Sequence, residues 1–183
     1  MQKRAVILLA NGFEEIEAVA TIDILRRAKI TVVIASVDGE FVTGANGVTI
    51  KTDCSIKTID ELDFDAIILP GGYKGTMRLC EDIASQTIIK NFNSKDKIIA
   101  AICAAPLALD KAKVLKAEYT CYPGVEDGIK SSMFVGKAVV ESGNVITSRG
   151  PGTAICFGLY LVEKLAGEEM ADSIKRDVLA SYC

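Results

Sequence analysis

The chain is predicted to be an α/β protein, a mostly parallel doubly wound sheet flanked by helices, and three observations predict it. The runs RAVILLA, ITVVIASV, FDAIILP and KIIAAIC are strand-length and continuously apolar, as strands buried on both faces must be. Segments of helical periodicity fall between them, so strand and helix alternate along the chain. Strand ends carry Asn11-Gly12, Pro70-Gly71-Gly72 and Cys103-Ala104, turn-forming or small residues of the kind that punctuate strand-to-helix crossovers.

Taken in order, Arg4 to Ala10 is the first strand. From Glu14 to Lys29, Ile16, Val19, Ala20, Ile24 and Leu25 recur at helical spacing. Acidic residues stand in the first turn and Arg26, Arg27 and Lys29 in the last, complementing the helix dipole. Ile30 to Val37 is the second strand, and the Gly-bearing segment Asp38 to Lys51 reads as a hairpin or edge excursion. Phe64 to Pro70 is the third buried strand, a helix covers about Met77 to Phe92, and KIIAAIC is the fourth strand. Beyond Pro106 the pattern gives a helix to about Lys111 and strands at Glu118 to Tyr122, Lys137 to Glu141 and Asn144 to Thr147. Two helices, Ala154 to Ala166 and Glu168 to Ala180, are separated at Gly167.

The 183 residues suit one domain, 1–183, with a substantial core. Half are hydrophobic and a quarter charged, which argues against disorder, and no apolar run reaches the about 18 residues of a membrane span. The opening MQKRAVILLANGFEE places acidic residues where a signal peptide would have its cleavage site, so it reads as strand and loop. A net charge of -3 without basic clusters excludes the electrostatic footprint of a nucleic-acid binder. The six cysteines form no C-x-x-C pair, and a chain of this size does not need staples; free thiols in a reducing cytoplasm are expected. With no histidine and no paired cysteines, neither a metal nor an organic cofactor is expected.

In an open α/β sheet, ligands bind beyond the carboxyl ends of the strands. There Ala100 to Asp110, AAICAAPLALD, resembles a nucleophile elbow, with Ala101 and Ala105 as the small flanking residues. Pro106 fixes a helix start near Cys103, where unpaired amides would depress the thiol pKa. The competing reading is a small buried core cysteine. Gly71 and Gly72 form either an oxyanion-holding turn or an ordinary tight turn. Glu17, flanked by Ile16 and Ala18, can reach the thiol site, where it would be protonated and donate to sulfur. The competing reading is a solvated first-turn glutamate, which fits Glu14 and Glu15 better, and spacing alone does not separate the three. Without histidine, neither a Cys-His dyad nor a Cys-His-Glu triad can be built.

NGFEEIEAV, ILPGGYKG, IIAAICAAP and ITSRGPGTA, in this order and spacing, resemble the ThiJ/PfpI superfamily, in the branch that holds a parkinsonism-associated deglycase and the bacterial chaperone YajL. The resemblance implies a flavodoxin-like three-layer sandwich and a homodimer. It implies Cys103 as the reactive, oxidisable thiol, Glu17 as its protonated partner, and the Gly72 and Ala104 amides facing substrate or sulfinate oxygens. It further implies Gly150-Pro151 lining the pocket, and Arg27 and Arg149 as basic positions near it with structural or dimer-contact roles; Ser148 reads as a loop residue. Ala104 stands where the family's peptidases have histidine, which excludes peptidase activity. Tyr122 stands where the deglycase has a histidine, and either hydrogen-bonds substrate or packs.

The activity so implied is cysteine-dependent handling of small aldehydes or dicarbonyls, of the glutathione-independent glyoxalase or protein deglycase type. Glycated or misfolded proteins are further partners, and a nonenzymatic redox sensor or chaperone is the alternative. A thiamine-related role lacks support, since GGYKGT does not have the spacing of a phosphate loop.

Overall fold

The computed structural model describes residues 2–183. Its main sheet is built from β1 (Arg4–Leu9), β2 (Thr31–Ser36), β5 (Cys54–Ser55), β6 (Ala66–Leu69), β7 (Ile98–Ile102), β10 (Val139–Ser142) and β11 (Val145–Ser148). They lie in the order β10-β11-β7-β6-β1-β2-β5. All neighbours are parallel except β10, which returns antiparallel on β11. The hairpin expected before residue 51 is β3 (Phe41–Thr43) paired with β4 (Thr49–Lys51).

Side chains of the inner strands alternate between two apolar layers, which is why their sequences show no polar face. Ile7 and Leu9 of β1 point with Ile68, Ala100 and Ile102 toward α1 (Glu15–Arg27), α5 (Ala154–Ala166) and α6 (Glu168–Asp177). Val6 and Leu8 point the other way with Ile67, Leu69, Ile99 and Ala101, toward α2 (Tyr73–Glu81), α3 (Ile83–Ser94) and α4 (Pro106–Lys111). Helices on both faces of a mostly parallel sheet make this an α/β three-layer fold. Gly158 lets α5 approach α1 closely, since a β-carbon there would lie 3.0 Å from Ile24.

Four sequence expectations are corrected. The helix expected over about Met77 to Phe92 is two helices, α2 beginning earlier at Tyr73. Asp82 breaks the run: its backbone is extended, and its Oδ2 accepts from the Ser85 amide at 2.8 Å and the Ser85 hydroxyl at 2.9 Å, capping α3. The strand expected at Glu118 to Tyr122 is only β8 (Glu118–Tyr119), paired with β9 (Met133–Phe134) in a separate ribbon. Ile16 and Val19 do not face the core; α1 buries Glu17, Ala18, Thr21, Ile22, Ile24 and Leu25 and leaves those two 57% and 48% exposed.

The fourth correction concerns the thiols, because Cys156 and Cys183 form a disulfide with Cα atoms 5.1 Å apart. From Cys156, α5 runs about 15 Å away, and the ten residues of α6 run about 15 Å, so a chain that turns at Gly167 returns to its start. The sequence pattern gives the two helices and the turn at Gly167, but not that α6 packs back along α5. Closing a separation of 27 residues stabilises the fold by roughly 3.5 kcal/mol in chain-entropy terms. Cys54, Cys80, Cys103 and Cys121 are free. No helix among the described residues is long and apolar enough to cross a membrane.

Candidate active site

Five non-glycine residues among those described have positive φ, and four of them follow helices. Lys29, Asp96, Lys113 and Leu179 each stand just past a helix C-terminus, where the next amide reaches back to close the helix: Ile30 to Leu25, Lys97 to Phe92, Val114 to Leu109 and Ala180 to Lys175. The fifth, Cys103 at φ 66°, instead links the end of β7 to the turn before α4. No helix terminus demands that conformation. A left-handed non-glycine residue costs about 1–3 kcal/mol and persists only where its surroundings hold it.

The surroundings here are hydrogen bonds from both sides. The Cys103 N–H donates to the Ser148 carbonyl at the end of β11 (3.0 Å), and its own carbonyl accepts from the Tyr122 amide (3.0 Å). Ser148 is thus no free loop residue. It is fully buried, its Oγ donates to the Ala138 carbonyl at 2.8 Å, and it lies 2.7 Å from Thr153 Oγ1. Thr153 in turn holds the Gly150 amide at 3.1 Å. The sequence reading missed this brace, for which the only signal is a hydroxyl on either side of the RGPG turn.

Cys103 is half-buried, and the amides of Gly72 and Ala104 are directed at its sulfur. Glu17, in the first turns of α1, is fully buried beside it. One carboxyl oxygen, Oε2, accepts from the Gly71 amide at 2.7 Å; the other, Oε1, is buried without a hydrogen-bond partner. A proton on this acid therefore belongs on Oε1. No well-aligned hydrogen bond joins acid to sulfur, but the groups are close enough for each to shift the other's titration.

Burial raises Glu17 from 4.5 to about 7, against the opposing Gly71 hydrogen bond. The expected depression of the thiol does not occur: burial first, and then the Glu17 carboxylate, push Cys103 up to about 12, and the Gly72 and Ala104 amides only partly offset them. Helix α4, whose dipole was expected to lower the thiol pKa, begins at Pro106, three residues beyond the thiol, and is only six residues long. The pair thus holds at most one negative charge near neutral pH, and the second ionisation is opposed.

Two glycines are required by contact. A β-carbon on Gly72, already at φ 84°, would lie 2.3 Å from the Gly12 carbonyl oxygen. One on Gly71 would collide with both Cys103 and Glu17. Gly150 and Tyr122 are also brought to the site: a β-carbon on Gly150 would stand 3.1 Å from the Tyr122 ring and 4.0 Å from Glu17 Oε1. Tyr122 is half-exposed, and half-buried Pro151 opens the short turn after Gly150.

Arg27 is not brought there. It lies ten residues, about 15 Å, along α1 from Glu17, and its Nε pairs with Asp23 at 2.7 Å. Arg149 reaches the Gly136 carbonyl at 3.5 Å, a weak contact. Glu15 is likewise not solvated. Its carboxylate accepts from the Asn46 amide at 2.6 Å, the Asn46 side chain at 3.0 Å and the Val48 amide at 3.3 Å, which outweigh burial and lower its pKa. This binds the β3–β4 hairpin to the start of α1.

Known proteins share this arrangement of chain. A model of the DJ-1/PfpI family matches residues 3–164. Protein dj-1beta of Drosophila melanogaster is 38% identical over 186 residues, with all of both chains covered. The Parkinson disease protein 7 homolog of Danio rerio is 37% identical, covering 97% of each chain. The glutathione-independent glyoxalase DJR-1.2 of Caenorhabditis elegans is 37% identical, covering 94% of each. Among solved structures, Drosophila melanogaster DJ-1beta superposes with a TM-score of 0.94 at 38% identity, covering 98% of each chain. Oxidized Toxoplasma gondii DJ-1 does so with 0.92 at 37%, covering 97% of this chain and 98% of that one.

Proposed function

The chain belongs to the DJ-1/PfpI family, and on that premise we propose that it handles reactive dicarbonyls through Cys103 and Glu17, as a glutathione-independent glyoxalase or a protein deglycase. One observation carries this reading: a half-buried thiol held in a strained turn, faced by two backbone amides and by a carboxyl whose pKa is about 7. The name of the nematode relative, a glutathione-independent glyoxalase, supports the same class of reaction.

In the reaction, Glu17 as carboxylate takes the thiol proton while sulfur adds to the aldehyde carbon of methylglyoxal, then returns that proton to the former aldehyde oxygen, giving a hemithioacetal and restoring the carboxylate. A general base titrating near 7 is suited to this step, and no free thiolate has to accumulate. The Gly72 and Ala104 amides hold the negative charge as it passes from sulfur to the aldehyde oxygen. Glu17 then carries a proton from the former aldehyde carbon to the neighbouring carbonyl carbon through an enediol, leaving a lactoyl thioester on Cys103. Water hydrolyses that thioester to lactate and restores the thiol. Gly150 and Tyr122 border the space beside Oε1, and Pro151 follows them.

The test is methylglyoxal consumption by the pure protein without glutathione. Cys103→Ala lowers kcat/KM by about 10³-fold or more and Glu17→Gln by about 10²-fold or more. Turnover that survives both substitutions removes these residues from the mechanism.

A second reading is a redox sensor or chaperone in which Cys103 is oxidised to sulfinate. It is favoured by the same half-exposed sulfur facing two amide donors, and by the structural relative described as oxidized. Negligible turnover of every dicarbonyl, with selective Cys103 oxidation by mild peroxide, decides for it.

We also propose a cytoplasmic homodimer. Ile16 and Val19 are exposed on α1, next to the hairpin that carries exposed Val48 and is bound to α1 through Glu15, an apolar surface that a second copy would cover.

A further inference from the structure

We propose that the Cys156–Cys183 bond is a reversible redox latch that holds the segment after α6 against α5, separate from any oxidation of Cys103. The segment has little else to hold it. Beyond α6 the backbone amides of Val178, Leu179, Ala180 and Cys183 donate only to Ile174, Arg176, Lys175 and Ala180, all within the same stretch. Among the described residues no side-chain hydrogen bond or ion pair joins 178–183 to the rest of the molecule. Ala180 is buried and Val178 packs on the core, but Leu179 is 84% exposed and Ser181, Tyr182 and Cys183 lie at the surface. Past Ala180, the disulfide is therefore the principal tie.

The bond is also placed to be reached. Cys156 and Cys183 both line a cleft of about 280 Å³ between α5, α6 and the start of β10, with Lys175, Glu163 and Tyr182 at its sides and Val139 and Leu159 among its apolar lining. A disulfide at the wall of an open cleft admits an attacking thiolate, whereas one sealed in the core does not. Reduction by a dithiol proceeds through a mixed disulfide on one of the two sulfurs. A second thiolate of the reductant then displaces the protein sulfur, so that two electrons and two protons pass to Cys156 and Cys183 and the reductant leaves as its own disulfide. Oxidised dithiol reverses the exchange. The opened segment swings from the cleft while α5 and α6 stay packed, because Phe157, Leu161, Val162, Ala171 and Ile174 bury their side chains in the core without it.

The experiment uses the full chain equilibrated in buffers of reduced and oxidised dithiothreitol at several ratios. It is then alkylated, digested and mapped by mass spectrometry, with amide hydrogen exchange and thermal unfolding followed on the same samples. The proposal expects a cross-linked Cys156–Cys183 peptide under oxidising buffer and two alkylated thiols under reducing buffer, with full return on reoxidation. Reduction should raise exchange at residues 179–183 by about tenfold or more, leave the core of α5 protected, and lower the melting temperature by roughly 5–15 °C. Cys183→Ser should melt at the reduced value in every buffer, and Cys103→Ala should keep the whole redox response. Three results overturn the proposal: no cross-linked peptide under any oxidising ratio, a bond reducible only after denaturation, or loss of the native fold on reduction. None of these depends on dicarbonyl turnover, so the latch and the proposed activity fail separately.

Discussion

Gly71 stands between Cys103 and Glu17, and a β-carbon on it would lie 2.5 Å from the Cys103 Cβ and 2.6 Å from Glu17 Oε2. Neither neighbour is the free end of a flexible chain: the first is a β-carbon on a strained backbone, the second a carboxyl oxygen bonded to the Gly71 amide. Gly71→Ala must therefore push thiol and acid apart. We expect a loss of about 1–3 kcal/mol in stability and a fall of about tenfold or more in Cys103 alkylation or dicarbonyl turnover. Unchanged kinetics in a folded Gly71→Ala protein would show that the spacing of the pair does not matter.

The buried acid makes stability depend on pH in a direction opposite to that of a salt-bridged carboxylate. Folding raises Glu17 from 4.5 to about 7, so between these values the folded state binds the extra proton. Its contribution is fully present below about 4.5 and is lost as pH rises through 7, to a total of roughly 3 kcal/mol. Glu17→Gln carries no such titration. Urea unfolding should find the variant more stable than the parent at pH 8, with the gap closing toward pH 4.5; a gap independent of pH refutes the raised pKa.

The exposed apolar face of α1 can be tested by charge. Val19→Asp leaves the core untouched, because Val19 is 48% exposed, but puts a carboxylate on the surface proposed to pair. Light scattering should give twice the 19.5 kDa chain mass for the parent and the single mass for the variant. A parent that is already monomeric at micromolar concentration removes the dimer.

Asp82 is the device that divides α2 from α3, through two hydrogen bonds to Ser85. Asp82→Ala should cost about 1 kcal/mol, a shift of about 2–4 °C in melting temperature, without altering Cys103 reactivity. A change at the thiol would mean that the break transmits to Gly72 through α2.

The parallel sheet was legible in the sequence because strands buried on both faces leave no polar position to confuse the pattern. Cys103 was legible as a strand-end residue for the same reason, whereas spacing alone did not separate Glu17 from Glu14 and Glu15, and Ile16, one of its apolar flanks, is exposed. The face of α1 was misjudged: Ile16 and Val19 satisfy the period of a core-facing helix, yet a surface fit for a partner shows the same period. Asp82 was overlooked because an apolar pattern continues on either side of a good capping residue.

By itself the sequence determined the buried strands of the parallel sheet, the strand ends at which loops converge, and the absence of any imidazole. Only the tertiary structure decided that Glu17 lies buried beside Cys103 and which cysteines meet. The first depends on α1, the Gly71-Gly72 turn and the end of β7 meeting at one place, the second on α6 packing back along α5. Both are distances between segments remote along the chain, and local patterning does not encode distance.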